Sequence, residues 1–158
     1  MSFLEPYSSD AIKRRKNNFS NIIKSESGIK KIILVDRTGL TIASASKFSY
    51  FPADVDSIGA IASAVFCASE EQGKHLELGV LEIVTSEFSG GKIFASSCGP
   101  IGVLILITDS DINIGLIRRI LKRSVDEFRG ILDEFLSGIP GTLDSGLDLS
   151  DLDALTPD

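Results

Sequence analysis

The stretch from Ile101 to Thr108 constrains the fold most, because every residue before Thr108 is apolar or glycine. A strand that is apolar on both sides is buried on both faces, so helices must cover both sides of its sheet. Short turn sequences at residues 87–91 and 99–100 precede it and separate two further strands, predicted at residues 78–86 and 92–98. The pattern predicts an antiparallel meander whose last strand is central.

The first part of the chain predicts a helix followed by a hairpin. Residues 9–27 carry an apolar stripe at helical spacing, and Gly28 follows as a helix-ending glycine. A β-branched strand is expected at residues 31–35. The polar turn Asp36-Arg37-Thr38-Gly39 then leads into a return strand at residues 40–46.

Residues 53–74 predict a second helix, with Asp54 near its N-cap. We assign its core stripe to Ile58, Ile61, Ala62, Val65, Phe66 and Ser69. The opposite face is small or polar, with Asp56, Gly59, Ala60, Ser63, Ala64 and Cys67, followed by Glu70, Glu71 and Lys74. Because glycine costs a helix about 1 kcal/mol against alanine, this face is interpreted as a contact surface for another helix. The alternative is a thin helix face packed against the chain's own loops.

A third helix is predicted at residues 112–137, with N-caps offered by Asp109, Ser110 and Asp111. Its outer face is first basic, with Arg118, Arg119, Lys122 and Arg123, and then mainly acidic, with Asp126, Glu127, Asp133 and Glu134. Gly138 and Pro140 end it.

The predicted helices and strands form an α+β domain at residues 9–137. Three segments lie outside these helices and strands. Residues 1–8 are expected to be loose. The loop with Phe48, Tyr50 and Phe51 is either a docking patch or a cover for the sheet edge. Residues 138–158 hold five Asp and no Lys or Arg, so they carry a charge of -5 of the total -6. This Leu/Asp tail is expected to be disordered alone. It either solubilises the protein or folds onto a basic, apolar groove.

Composition excludes several function classes. The net charge of -6 argues against broad nucleic-acid binding. No apolar run approaches 18 residues and the polar N-terminus is no signal peptide, so a cytoplasmic protein without membrane insertion is expected.

Cys67 and Cys98 lack metal-ligand or redox spacing, and His75 is the only histidine. Glu70 and Glu71 point about 100° apart on a helix, so they form no acid–base pair. We expect neither catalysis nor a cofactor.

The element order helix, two strands, helix, three strands, helix resembles the roadblock family. The hairpin Val35-Asp36-Arg37-Thr38-Gly39-Leu40 and the small-residue second helix also resemble that family. That family includes dynein light chains of the roadblock type and MglB-type bacterial regulators. The resemblance covers roughly residues 10–137. It implies a five-stranded antiparallel sheet, with the second helix on one face and the first and third on the other.

The resemblance also implies a dimer formed through the second helix and the third strand, with a second copy or a related roadblock subunit. The residues expected at that contact are Gly59, Phe66, Leu78, Val80, Glu82 and Val84. The chain itself agrees, because an apolar edge strand is an aggregation hazard unless another strand pairs with it.

Prokaryotic members of the family act on small Ras-like GTPases, as GTPase-activating proteins or as platforms. By resemblance, the GTPase would dock on Asp56, Ala60, Ser63, Cys67, Glu70 and Glu71. No arginine lies on the second helix, so any stimulation is expected to order the GTPase's own residues and not to insert an arginine finger. Two alternatives remain: an assembly subunit without effect on nucleotide turnover, and a small-molecule sensor domain.

Overall fold

The structure is a computed structural model that describes residues 9–47 and 54–137. For residues 9–16, 131 and 134–137 it describes the backbone alone. The predictions for residues 1–8, for the aromatic loop and for residues 138–158 lie outside the described residues.

Within the described residues, three helices and five strands follow one another in the predicted order. The helices are α1 (Ser9–Ser25), α2 (Val55–His75) and α3 (Ile114–Ser137). The strands are β1 (Ile29–Asp36), β2 (Thr41–Ser46), β3 (Ile83–Phe88), β4 (Gly91–Cys98) and β5 (Gly102–Thr108). They form one antiparallel sheet in the order β2-β1-β5-β4-β3, so β5 is central, as its apolar sequence predicts.

The sheet separates two apolar cores, because alternate strand residues point to opposite faces. On one face, Phe66 of α2 packs with Ile33, Val35 and Ile105. On the other, α1 and α3 cover the remaining strand residues, and Phe19 stacks on Phe128 with ring centroids 4.7 Å apart. The expected sandwich, with one helix on one face and two on the other, is therefore confirmed.

The prediction of a strand at residues 78–86 is wrong at its start. The backbone of Glu77 and Gly79 has positive φ angles of 54° and 85°, which an extended strand does not accommodate. Residues 76–82 therefore remain outside the sheet. Strand β3 pairs with β4 from Ile83 opposite Ser96 to Phe88 opposite Gly91. The edge strand is thus shorter and shifted towards the hairpin turn.

The start of α3 also differs from the prediction. Asn113 caps it, since its Oδ1 accepts a hydrogen bond of 3.1 Å from the Leu116 N–H. Asp109, which was expected as a cap, instead forms an ion pair with Lys30, whose Nζ lies 2.9 Å from the Asp109 Oδ1. Gly28 lies in the turn after α1, where a Cβ would collide with the Ile112 side chain.

Candidate functional site

An apolar groove lies between the outer side of α2 and the edge of the sheet. Ile61 and Val65 line it from α2 and are 65% and 44% exposed, and Phe88 of β3 is 60% exposed. The groove has a volume of about 250 Å³, and its walls are almost entirely apolar. It is lined by Ile58, Ile61, Ala62, Val65, Val84, Ser86, Phe88, Ile93 and Ala95. Contiguous exposed apolar surface of this kind is typical of interaction sites.

The orientation of α2 produces this groove and corrects the predicted core stripe. The residues buried against the sheet are Gly59, Ala62, Ser63 and Phe66, whereas Ile61 and Val65 are exposed. At Gly59 an added Cβ would lie 2.7 Å from Val35 Cγ1, so glycine permits α2 to approach β1 closely. The helix is thus rotated so that small residues meet the sheet and two β-branched residues face outward.

The predicted partner-binding residues of α2 separate into three groups. Asp56, Ala60 and Glu71 are exposed and remain available to a partner. Cys67 and Glu70 are half-buried beside the β1–β2 turn. Ser63 is only 1% exposed, and its single hydroxyl proton is shared between the carbonyl oxygens of Asp36 at 3.1 Å and Arg37 at 3.3 Å. The placement of Ser63 on the outer surface is therefore wrong.

The residues predicted at the dimer contact are also divided. Gly59 and Phe66 are buried within the chain's own core, so they do not reach a partner. Leu78, Val80 and Glu82 are exposed but lie in the segment before β3. Val84 lies in β3 and lines the groove.

The outermost side of α2 agrees only in part with the predicted small-residue face. Ala60, Ala64 and Ala68 are exposed at intervals of four residues, next to Ile61 and Val65. Small side chains at this spacing allow another backbone to come close. The sequence placed Ala60 and Ala64 on the outer small-residue face, where the structure has them, but it placed Gly59 and Ser63 there as well, and these two face inward. Phe88 was missed because it was assigned to a turn.

Arg37 connects the β1–β2 turn to α2 and to the β4–β5 turn. Its Nη1 donates to Glu70 Oε1 at 2.5 Å, and its Nε donates to the Pro100 carbonyl at 3.0 Å. Its guanidinium also lies 5.8 Å from the centre of the Phe66 ring. These contacts hold the guanidinium against the protein, although the Arg37 side chain remains 30% exposed.

The turn that carries Arg37 is itself held by Asp36. The Asp36 Oδ1 accepts hydrogen bonds from the N–H groups of Thr38 and Leu40, both at 2.9 Å, and from the Thr38 hydroxyl at 2.6 Å. Burial raises the pKa of Asp36, but these hydrogen bonds to the charged form outweigh it and leave the pKa below its ordinary value.

The described residues offer little to reaction chemistry. Residues 9–47 and 54–137 contain no group of three or more His, Cys, Asp or Glu side chains placed to hold a metal ion. Burial raises the pKa of the Cys98 thiol to about 12, although nearby Arg129 opposes the shift, so Cys98 is a poor nucleophile. None of the helices in these ranges is long and apolar enough to cross a membrane.

Comparison with known proteins agrees with this architecture. The family model of the Roadblock/LC7 domain matches residues 19–108. The uncharacterized protein MJ0310 of Methanocaldococcus jannaschii is 37% identical over 106 residues, which cover 66% of this chain and 88% of that protein.

Two solved structures share the fold. A structure described as MglB with tetrameric arrangement has a TM-score of 0.73 at 16% identity and covers 80% of this chain and 93% of that chain. The gliding protein MglB of Thermus thermophilus has a TM-score of 0.71 at 16% identity, covering 78% of this chain and 92% of that chain.

Proposed function

Since this chain belongs to the Roadblock/LC7 domain family, we propose that it is a homodimeric regulatory module that binds a small Ras-like GTPase. The observation that carries the proposal is the apolar groove between α2 and β3. Its three most exposed apolar side chains, Ile61, Val65 and Phe88, have no cover among the described residues.

A second copy fits this groove better than a small ligand does. Among the described residues β3 is the last strand of the sheet, so its outer edge presents backbone groups that another β3 can pair with across a twofold axis. Beside that edge, Ala60, Ala64 and Ala68 allow two α2 helices to approach closely, while Ile61 and Val65 bury their apolar surface. A small ligand would need converging polar groups, whereas Ser86 is the only polar residue among those that line the groove.

The GTPase is proposed to bind across the paired α2 helices. The exposed residues of this surface include the acidic Asp56 and Glu71, and Glu71 lies 3.6 Å from Lys74 and 3.8 Å from His75. Ala60 lies between Asp56 and Glu71 along the helix. An acidic surface favours a GTPase with a basic patch and increases the rate of encounter at low salt.

The proposed action on the GTPase is indirect. An arginine finger contributes about 10³–10⁵ to the rate of hydrolysis, but α2 contains no arginine, and Arg37 is held by Glu70 and Pro100. Binding therefore acts by ordering the GTPase's switch segments, if turnover changes at all. A platform that binds the GTPase without changing turnover uses the same surface.

Dimerisation is tested by Ile61→Asp, which places a charge in the groove. Leu40→Asp is the matched control, because Leu40 is 68% exposed and lies in the β1–β2 turn, away from the groove. Light scattering after size exclusion should give a dimer for the unmodified chain and Leu40→Asp, and a monomer for Ile61→Asp. A monomeric unmodified chain, or a dimeric Ile61→Asp variant, contradicts the proposal.

GTPase binding is tested by measuring GTP turnover of Ras-like GTPases from the same organism with and without excess protein. Faster turnover that is lost in Asp56→Arg, which lies outside the proposed helix–helix contact, and kept in Leu116→Asp, an exposed position of α3, supports a GTPase-activating role. Unchanged turnover with a nucleotide-dependent complex supports a platform. No complex with either nucleotide removes the GTPase from the proposal and leaves an assembly subunit.

A further inference from the structure

The first half of α3 carries four exposed positive charges on the side of the sheet opposite the groove. Arg118, Arg119, Lys122 and Arg123 form this α3 basic cluster. None of the four forms an ion pair with another residue of the described ranges. The pairs Arg118/Lys122 and Arg119/Arg123 are four residues apart, so like charges repel along the helix. An anionic occupant would relieve this repulsion.

We propose that residues 138–158 of the same chain fold back along α3 and bind the α3 basic cluster. These residues contain Asp144, Asp148, Asp151, Asp153 and Asp158 and no Lys or Arg, so they carry most of the chain's net negative charge. The remainder of the chain has a net charge of only -1, which makes the cluster a local positive surface on a nearly neutral body. Complementary charge thus selects this segment as the occupant.

The length of the segment matches the distance that it has to span. From Ser137 back to Arg118, an α-helix measures about 28 Å. A random-coil chain as long as residues 138–158 has a root-mean-square end-to-end distance of about 25 Å. Because the segment starts at the end of α3, its concentration near the cluster is of the order of millimolar, whatever the protein concentration.

A groove beside the cluster offers apolar contacts for the leucines of this segment. It has a volume of about 150 Å³, lies between α1 and α3, and is lined by Asn21, Ile22, Ser25, Ile120, Arg123, Ser124 and Glu127. Arg123 therefore belongs to both the groove and the cluster. The alternation of Leu147, Asp148, Leu149, Asp151 and Leu152 suits an apolar groove that lies beside a basic cluster, although Glu127 at the groove opposes an acidic segment.

The charges along the rest of α3 favour the first half of the helix as the binding site. Asp126, Glu127 and Asp133 are exposed nearer its end and repel the acidic segment, and Arg129 offsets only one of them. Arg118 lines a recess at the β3 edge together with Val84. The rest of the cluster lies on the other side of the sheet from the groove, so binding there leaves the groove between α2 and β3 free. The bound segment also shields the cluster from other polyanions. Because neither a second copy nor a GTPase takes part in this contact, the proposal does not depend on them.

Paramagnetic relaxation in the full-length protein tests the proposal. A spin label is attached to Ser145→Cys in a Cys67→Ala background, with buried Cys98 left in place. We expect the amide signals of residues 118–123 to lose most of their intensity at low salt. They should recover at ~1 M salt, where the screening length is about 3 Å. Arg119→Glu/Arg123→Glu should abolish the loss, and Lys74→Glu, on α2, should leave it unchanged.

A mixture of isotope-labelled protein without the spin label and spin-labelled protein without isotope separates contacts within one chain from contacts between chains. Intensity loss in that mixture equal to the loss within one chain overturns the proposal, and so does unchanged intensity at residues 118–123. In the latter case, vesicles containing phosphatidylserine are added to the full-length protein. Binding that Arg119→Glu/Arg123→Glu abolishes would assign the cluster to a membrane surface instead.

Discussion

Arg37 and Glu70 are 33 positions apart in sequence, and the Arg37 Nη1 donates to the Glu70 Oε1 at 2.5 Å. Their side chains are 30% and 23% exposed, so the pair is partly shielded from water. Through this contact the turn between β1 and β2 is attached to the last third of α2. The arginine of the Asp36–Gly39 turn is therefore a structural connection between sheet and helix.

Removal of this connection should lower stability moderately. Arg37→Ala loses the ion pair with Glu70 and the hydrogen bonds to Pro100 and Ser97. We expect a decrease of about 1–2 kcal/mol in the free energy of unfolding, measured by urea denaturation. Lys74→Ala, which loses only an exposed pair with Glu71, should change it by less than ~0.5 kcal/mol. Equal effects of both substitutions would argue against the structural role of Arg37.

Replacing two glycines of α2 by alanine should change the stability of the protein in opposite directions. Gly59→Ala places a Cβ 2.7 Å from Val35 Cγ1, and this overpacking should cost about 1–3 kcal/mol despite the better helix propensity of alanine. At Gly73 nothing lies within 4 Å of an added Cβ, so Gly73→Ala should stabilise the helix by about 0.5–1 kcal/mol. Thermal unfolding of both variants measures the difference, and a stabilising Gly59→Ala would contradict the packing of α2.

Adjacent positions of α2 should differ in their tolerance of a large charged residue. Ser63→Arg forces a guanidinium into a site that is 1% exposed and breaks the hydrogen bond to the Asp36 carbonyl. The variant should lose most of its folded population, because an unpaired buried charge is highly unfavourable. Ala64→Arg changes an exposed residue and should remain folded by circular dichroism. A folded Ser63→Arg variant would place the outer face of α2 elsewhere.

Asp36 should make stability depend on pH in the acid range. Burial raises its pKa, but the hydrogen bonds from Thr38, Leu40 and Gly39 lower it below the value of about 3.9 in an unfolded chain. A depressed pKa stabilises the fold above the unfolded pKa, and this contribution is lost as the pH falls through the folded value. Between about pH 5 and pH 2, the urea midpoint of Asp36→Asn should therefore fall less than that of the unmodified protein. Parallel curves would show that the turn contributes nothing to acid unfolding.

The two cysteines should differ in reactivity. Cys98 is buried and has a pKa of about 12, whereas Cys67 is half-buried. Iodoacetamide at about pH 8 should modify Cys67 alone in the native protein and both thiols in urea, because the thiolate is the reactive species. Mass spectrometry counts the adducts, and a Cys67→Ala variant should remain unmodified unless it is denatured. Rapid labelling of Cys98 in the native state would contradict its burial under α3.

Much of the fold was predictable because it depends on patterns of residues that lie close together in sequence. The apolar run before Thr108 indicated a central strand, and the Asp36–Gly39 sequence indicated a hairpin turn, since both depend on residues close together in sequence. The same holds for the N-cap of α2, where the Asp54 side chain accepts a hydrogen bond from the Asp56 N–H. Such features need no knowledge of distant partners.

The start of β3 and the outer face of α2 were not predictable in this way. Apolar residues extend back to Leu78, but the positive φ angles of Glu77 and Gly79 interrupt the extended backbone. The strand therefore begins only at Ile83, which the folded backbone alone reveals. The order of the elements and the central strand follow from local sequence patterns. Which side of α2 meets the sheet depends on contacts between residues far apart in sequence, because the close fit of Gly59 on Val35 and the hydrogen bond of Ser63 to Asp36 outweigh the exposure of Ile61 and Val65.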